Sequence, residues 1–266
     1  MLTTVTLLAA LSAAPGQADE LKLTNVRATY GVLGPKRTER KVLPGDNIVL
    51  TFDIEGITAD ANGKVTYSVA TEVTDKNGKV VFSSPAKPRE ALNALGGNSL
   101  TASANVDIGL DQPAGEYTLK GVVTDLATKK SQTLTGKFEV LPKAFGIARL
   151  STSADADGLA PCGVLGTGQS LWIHGAVLGF GREAGGQKQP SVTLEISVLD
   201  DKDKPTVKSF STTFGKDVPA NAVHLPIHFL LPLNRPGKFT IKLTATDKIT
   251  NKTTTQSLPI VVQESK

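Results

Sequence analysis

One passage of this chain is written twice. The run Gly115-Glu116-Tyr117-Thr118-Leu119-Lys120-Gly121-Val122-Val123-Thr124-Asp125 returns as Gly237-Lys238-Phe239-Thr240-Ile241-Lys242-Leu243-Thr244-Ala245-Thr246-Asp247. Thr128 and Lys130 return as Thr250 and Lys252, and the offset is 122 throughout. Self-similarity at domain length means two copies of one folding unit. The 266 residues leave room for two cores of common size. The copies are expected at 19–142 and 143–266, divided near Leu141-Pro142-Lys143, where a strand runs into proline. So short a join implies limited freedom between the units.

Hydrophobic residues alternate with polar ones almost everywhere. Ile48, Leu50, Phe52 and Ile54 share one phase, as do Val65, Tyr67, Val69 and Val73. Leu100, Ala102, Ala104, Val106 and Ile108 form another such run, followed by Tyr117, Leu119 and Val123, then by Leu134, Phe138 and Val140. A period of two over five to nine residues predicts strands with one buried face. Turn chemistry falls between the runs: Leu43-Pro44-Gly45-Asp46 precedes one strand, and Asn77-Gly78 supplies the positive φ angles of a tight hairpin. In the second copy Leu171, Ile173 and Val177 match Ile48, Leu50 and Ile54, while Asp200 to Lys204 replaces the Asn-Gly hairpin. The expected fold class is all-β, two tandem antiparallel β-sandwiches related by an internal repeat of about 122 residues.

The sequence Gly115-x-Tyr117-x-Leu119 resembles the turn and tyrosine at the start of strand F in immunoglobulin-like domains. The resemblance covers both copies and is to bacterial extracellular immunoglobulin-like or fibronectin-III-like sandwiches. It implies that the Tyr117 hydroxyl ties the inter-sheet corner. The family's paired cysteines are absent: Leu119 stands at the second position, and strand B offers Leu50 or Phe52. Phe239 takes the tyrosine's place in the second copy, so the hydroxyl bond is lost there. The resemblance implies adhesion, spacing or loop presentation rather than catalysis.

Residues 1–18 carry no charged side chain, and Val5 to Ala14 form a short apolar core followed by Gly16-Gln17-Ala18. This pattern predicts a signal peptide cleaved after Ala18, although no basic residue precedes the apolar core. The expected location is therefore periplasmic or extracellular. The apolar run is too short to span a bilayer, and no later stretch is long enough. Net charge is +4, with 29 basic against 25 acidic residues spread along the chain, which argues against nucleic acid as a partner. Cys162 is the only cysteine, so no intrachain disulfide forms.

All three histidines, His174, His224 and His228, lie in the second copy. His224 and His228 fall four residues apart on a strand, about 13 Å at ~3.3 Å per residue, too far to share one zinc ion. His174 points outward from strand B, which pairs with the strand carrying the other two, so one of them is expected beside it. That juxtaposition makes a two-histidine transition-metal site conceivable. The bland alternative is three solvated strand histidines, favoured by Thr51, Thr101 and Asn105 at the positions aligned in the first copy. Trp172, the only tryptophan, falls on the same outer face, where it would meet a partner, the other domain or a sugar. The glycine-rich loop from Phe180 to Pro190, with Arg182 and Lys188, reads as a mobile binding loop. Lys36, Arg37, Arg40 and Lys41 read as a solvated basic loop, and Asp155-Ala156-Asp157-Gly158 as a solvated turn lacking the further ligands of a calcium loop.

Nucleophile motifs and convergent carboxylates are absent. The expected function is non-catalytic and needs no cofactor: contact with a protein or cell-envelope partner, or spacing. The competing expectation is a ligand-binding module with a metal or glycan site on the outer face of the second domain.

Overall fold

The computed structural model describes residues 20–185 and 188–265, so the signal peptide expected at 1–18 lies outside the described residues. All regular structure among the described residues is β. In the first half, β1 (Lys22–Thr29), β3 (Asn47–Glu55) and β6 (Ser99–Asp107) form one sheet in the order β1-β3-β6. Opposite it, β2 (Lys41–Val42), β4 (Lys64–Asp75), β5 (Val80–Leu92), β7 (Gly115–Asp125) and β8 (Ser131–Val140) form a sheet ordered β2-β8-β7-β4-β5. The second half repeats this plan. Its smaller sheet has the order β14-β11-β9, from β9 (Gly146–Ser153), β11 (Ser170–Leu178) and β14 (His224–Pro232). Its larger sheet is β10-β16-β15-β12-β13, from β10 (Leu165–Gly166), β12 (Val192–Leu199), β13 (Phe210–Phe214), β15 (Gly237–Asp247) and β16 (Lys252–Gln263). Pairing is antiparallel except for the short β2–β8 and β10–β16 contacts. This is the immunoglobulin-like sandwich, twice.

The period-two runs do what they predict. Ile48, Leu50, Phe52 and Ile54 of β3 meet Val65, Val69, Leu119, Val123 and Phe138 from the other sheet in one buried core. Leu171, Ile173, Leu194, Ile241, Leu243 and Leu258 form its counterpart. Strand registers show where the copies keep step. The offset of 122 fits β7 and β15, where Tyr117 opposite Phe138 becomes Phe239 opposite Ile260. For β3 and β11 it is 123, Leu171 standing for Ile48, and for β6 and β14 it is 125, Leu231 standing for Val106. The first-copy counterparts of His228 and His224 are therefore Ser103 and Ser99, not the residues two places on.

The repeated residues have local work. The Tyr117 hydroxyl donates to Pro113 O at 2.8 Å and accepts from Gln112 Nε2, tying the corner as the resemblance implied. In the second copy the Arg235 guanidinium lies 5.0 Å over the Phe239 ring instead. The Asp-x-x-Thr repeat is a turn clamp. Asp125 accepts from Ala127 N, the Thr128 hydroxyl and Thr58 N; Asp247 accepts from Ile249 N, the Thr250 hydroxyl and Gly181 N. Burial pushes both carboxyl pKa values up, but these donors outweigh it and leave both below the usual carboxylate value.

Two expectations of solvent exposure fail at the junction between the halves. Arg37 is 8% exposed, paired through Nη2 with Asp46 Oδ2 at 2.8 Å, and donates to Asn47 O and Lys41 O. Val49 and Thr51, in outward phase, are 2% and 0% exposed. Tertiary packing explains both: segment 30–37 folds back along β1, with Arg37 N bonded to Ala28 O, and carries its guanidinium across to the start of β3. Asp46 then spans the join, its other oxygen accepting Arg149 N from β9 at 2.7 Å. Around this lock Leu43 packs on Ala148, Ala176 and Leu178, and Tyr30 enters the second core. Gly31, at φ +74°, lets the backbones close: a Cβ there would lie 2.6 Å from Ser151 Cβ.

Candidate functional site

The outer face of β11 and β14 positions the candidate residues. Antiparallel register sets His174 directly opposite His228, and Trp172 opposite Leu230. The rings stack in a row: Trp172 on His228 at 4.5 Å and 17°, His228 on His174 at 5.1 Å and 25°. Both imidazoles hold the turn after β9. His174 Nε2 is 2.7 Å from Ser153 Oγ, which itself donates to Asp155 O, so the relay runs from the ring N–H through the hydroxyl to the carbonyl. His228 Nε2 is 2.9 Å from Ala156 O, a carbonyl, and so donates to it. Asp155 closes the turn, accepting from Asp157 N, Leu159 N and Ala160 N; the Leu159 bond leads in holding its carboxyl below the usual range. Burial, and then the neighbouring His228, lower the His174 pKa, so this ring stays neutral above about pH 6.5.

His224 lies four residues from His228, at the start of β14, paired with Leu178. It lines a cleft of about 840 Å³ between the halves. Asn47 and Leu110 come from the first half; Arg149, Asp157, His174 and His224 come from the second. Arg149 bridges the cleft floor, bonded to Asp107 at 3.1 Å and to Gly45 O at 3.3 Å. The chain thus brings Trp172, His174 and His228 together and sets His224 apart. Among the described residues no group of three or more His, Cys, Asp and Glu side chains is placed to hold a metal ion.

The described residues of the Phe180–Pro190 loop, which exclude 186 and 187, are stapled to their surroundings. Arg182 donates to Lys188 O, Pro219 O and Ala222 O, each at 2.9 Å, and stacks 5.2 Å over Phe180. Gln189 Nε2 donates to Val218 O, and Gln189 Oε1 accepts from Val218 N. Arg182 spends its donors on its own chain, and Lys188 stays exposed. Cys162 is half-buried against the second core, and burial raises its thiol pKa. Arg149 and Asn47 were missed as site residues, because only the junction brings them beside the histidines.

The two copies differ on this face. The first-copy counterparts of Trp172, His174 and His228 are Val49, Thr51 and Ser103, all buried. In the second copy His228 is exposed, and Trp172 and His174 are half-exposed. These three positions are buried in one sandwich and accessible in the other.

No protein-family model matches the chain, and no curated protein does either. Among solved structures it is similar to the C-terminal domain of the antigen I/II polypeptide BspA of Streptococcus agalactiae, at 10% identity over 89% of this chain and 99% of that one, TM-score 0.32. The C-terminal domain of the antigen I/II-family protein AspA of Streptococcus pyogenes is 10% identical over 91% of this chain and 100% of that one, TM-score 0.31. Red sea bream transglutaminase is 7% identical over 93% of this chain and 32% of that one, TM-score 0.27. Similarity this low transfers neither activity nor partner. The fold assignment stands on the sheet order itself. No described helix is long and apolar enough to cross a membrane.

Proposed function

We propose that this chain is an exported, non-catalytic binding protein. Two immunoglobulin-like units at 19–142 and 143–266 are locked together, and the open face of the second engages a protein or envelope partner. The observation that carries this reading is the asymmetry of the outer faces: Val49, Thr51 and Ser103 are sealed, whereas Trp172, His174 and His228 form an open aromatic row beside a cleft built from both halves. A half-exposed tryptophan at the end of a row of stacked imidazoles offers large, rigid contact area at little entropic cost. The lock supports the same reading, because a fixed cleft needs no ordering when a partner docks.

The experiment is capture from native envelope extract on immobilised mature protein, comparing wild type with Trp172→Ala/His228→Ala and with Lys120→Ala on the exposed side of β7. Loss of a reproducible partner with the double substitution alone supports the reading. Equal capture by all three proteins sinks it. A metal reading of His174 and His228 competes with the use of both Nε2 atoms to hold the Ser153–Ala156 turn. A dialysed protein that takes up neither zinc nor copper at micromolar concentration eliminates it.

A further inference from the structure

The two sandwiches have an opening at the same place, and the one in the second is the larger. In the first, Val73, Phe82, Val106, Tyr117, Phe138 and Val140 line a cavity of about 260 Å³ between the β4–β5 hairpin and the starts of β7 and the end of β8. Register and turn position assign their counterparts. Val198 pairs with Ile241 as Val73 pairs with Leu119, and Phe239 and Val262 stand for Tyr117 and Val140. The hairpins close by the same bond, Asp75 N to Lys79 O and Asp200 N to Lys204 O, which sets Val207 in the place of Phe82. Ile260 stands for Phe138, whose ring stacks on Tyr117 at 5.7 Å in the first copy. Three changes shrink the lining, phenylalanine to valine, phenylalanine to isoleucine and tyrosine to phenylalanine, while Leu231 in the place of Val106 enlarges it.

The result in the second sandwich is a pocket of about 550 Å³ lined by Val198, Val207, Leu231, Phe239, Ile260 and Val262, with Asn234 and Arg235 also contributing. Ligand pockets run from about 300 to about 1,000 Å³. The first cavity falls below that range and the second falls inside it. The walls are mostly apolar, and Val207 at the rim is 63% exposed, so the site offers an apolar chain a contact surface. The Arg235 guanidinium lies over the Phe239 ring and makes no ion pair among the described residues. The carboxylate nearest in influence, Asp200, is engaged by Lys202 N and Lys204 N. An exposed cation thus stands beside an apolar hole.

We propose that this pocket, remote from the Trp172 face, binds a small amphipathic anion, its alkyl chain among Val198, Leu231 and Ile260 and its carboxylate on Arg235. The site is independent of the recognition role above and stands or falls alone.

The test is calorimetric titration of the full mature chain with decanoate below its micelle concentration, with decanol as the neutral control. Wild type is expected to bind one decanoate saturably. Ile260→Phe, which installs the residue the first sandwich already uses, is expected to abolish binding of both probes. Val207→Phe, at the exposed rim where folding is not at stake, is expected to weaken both. Arg235→Gln is expected to weaken decanoate about tenfold, as loss of a charge-assisted bond does, and to leave decanol unchanged. Absence of saturable binding to wild type overturns the proposal, as does binding unaltered in both phenylalanine variants. Equal weakening of the two probes by Arg235→Gln overturns the assignment of an anionic head.

Discussion

Removal of the Asp46 carboxylate should damage this protein more than any other single polar change. Asp46 is 2% exposed and serves both halves: Oδ2 holds Arg37 at 2.8 Å, and Oδ1 accepts Arg149 N at 2.7 Å. Asp46→Ala leaves a buried guanidinium, whose Nε already lacks a partner among the described residues, without its counter-ion. Breaking one side of such a buried pair costs about 3–5 kcal/mol. That is a large share of the roughly 5–15 kcal/mol that holds a domain folded. Asp46→Asn keeps an oxygen for Arg149 N but turns its NH2 on the Arg37 donor, so it too strands the cation and should cost about 3–5 kcal/mol. Arg37→Met added to Asp46→Asn removes the stranded cation and should recover most of that loss, since apolar replacement of a buried pair is often neutral. Urea unfolding followed by circular dichroism reads all three, with the slope checked for a change in the unfolding transition. A cost below about 1 kcal/mol for Asp46→Ala, or no recovery in the double variant, would refute the view of this pair as the lock.

Four further outcomes follow from the geometry. Tyr117→Phe should cost about 0.5–1.5 kcal/mol, the worth of a net hydrogen bond, read by the urea midpoint; no change would mean the corner bond is idle. Phe52→Ala should cost about 3–5 kcal/mol, and Val49→Ala about 2 kcal/mol because it too is buried; a negligible Val49 effect would reopen the outer face to solvent. Asp125 and Asp247 have lowered folded-state pKa values, so their stabilisation is present above the unfolded value of about 3.9 and lost as pH falls through the folded values. Asp125→Asn/Asp247→Asn should therefore flatten the acid limb of the stability profile below about pH 4, and an unchanged limb would contradict the clamp. The lowered His174 pKa works in the same direction over the window at and below about pH 6.5, and NMR titration of His228→Ala should move it part of the way back up.

The strands and their phases were legible because alternation is a local signal: Phe52, Leu119, Leu171 and Ile241 are buried where the pattern put them. The pairing of β11 with β14 was legible from the fold, and so was a histidine beside His174. Which histidine was not, since register depends on loop lengths, and the copies drift from an offset of 122 to 125 between one strand and another. Arg37 and Arg182 misled for one reason. A long cation in a glycine-rich or basic loop looks solvated, yet each folds back to bond three acceptors of its own chain. The pocket beside Arg235 left no local mark either, because Val207, Leu231, Phe239 and Ile260 meet only in the packed sandwich.

The most direct test of the central claim puts a photo-crosslinking aromatic residue at position 172, and at position 120 as control, in protein exported to its native envelope. The account predicts a discrete adduct from 172 and none from 120. Matching adducts from the two positions, or adducts from 120 alone, would contradict it.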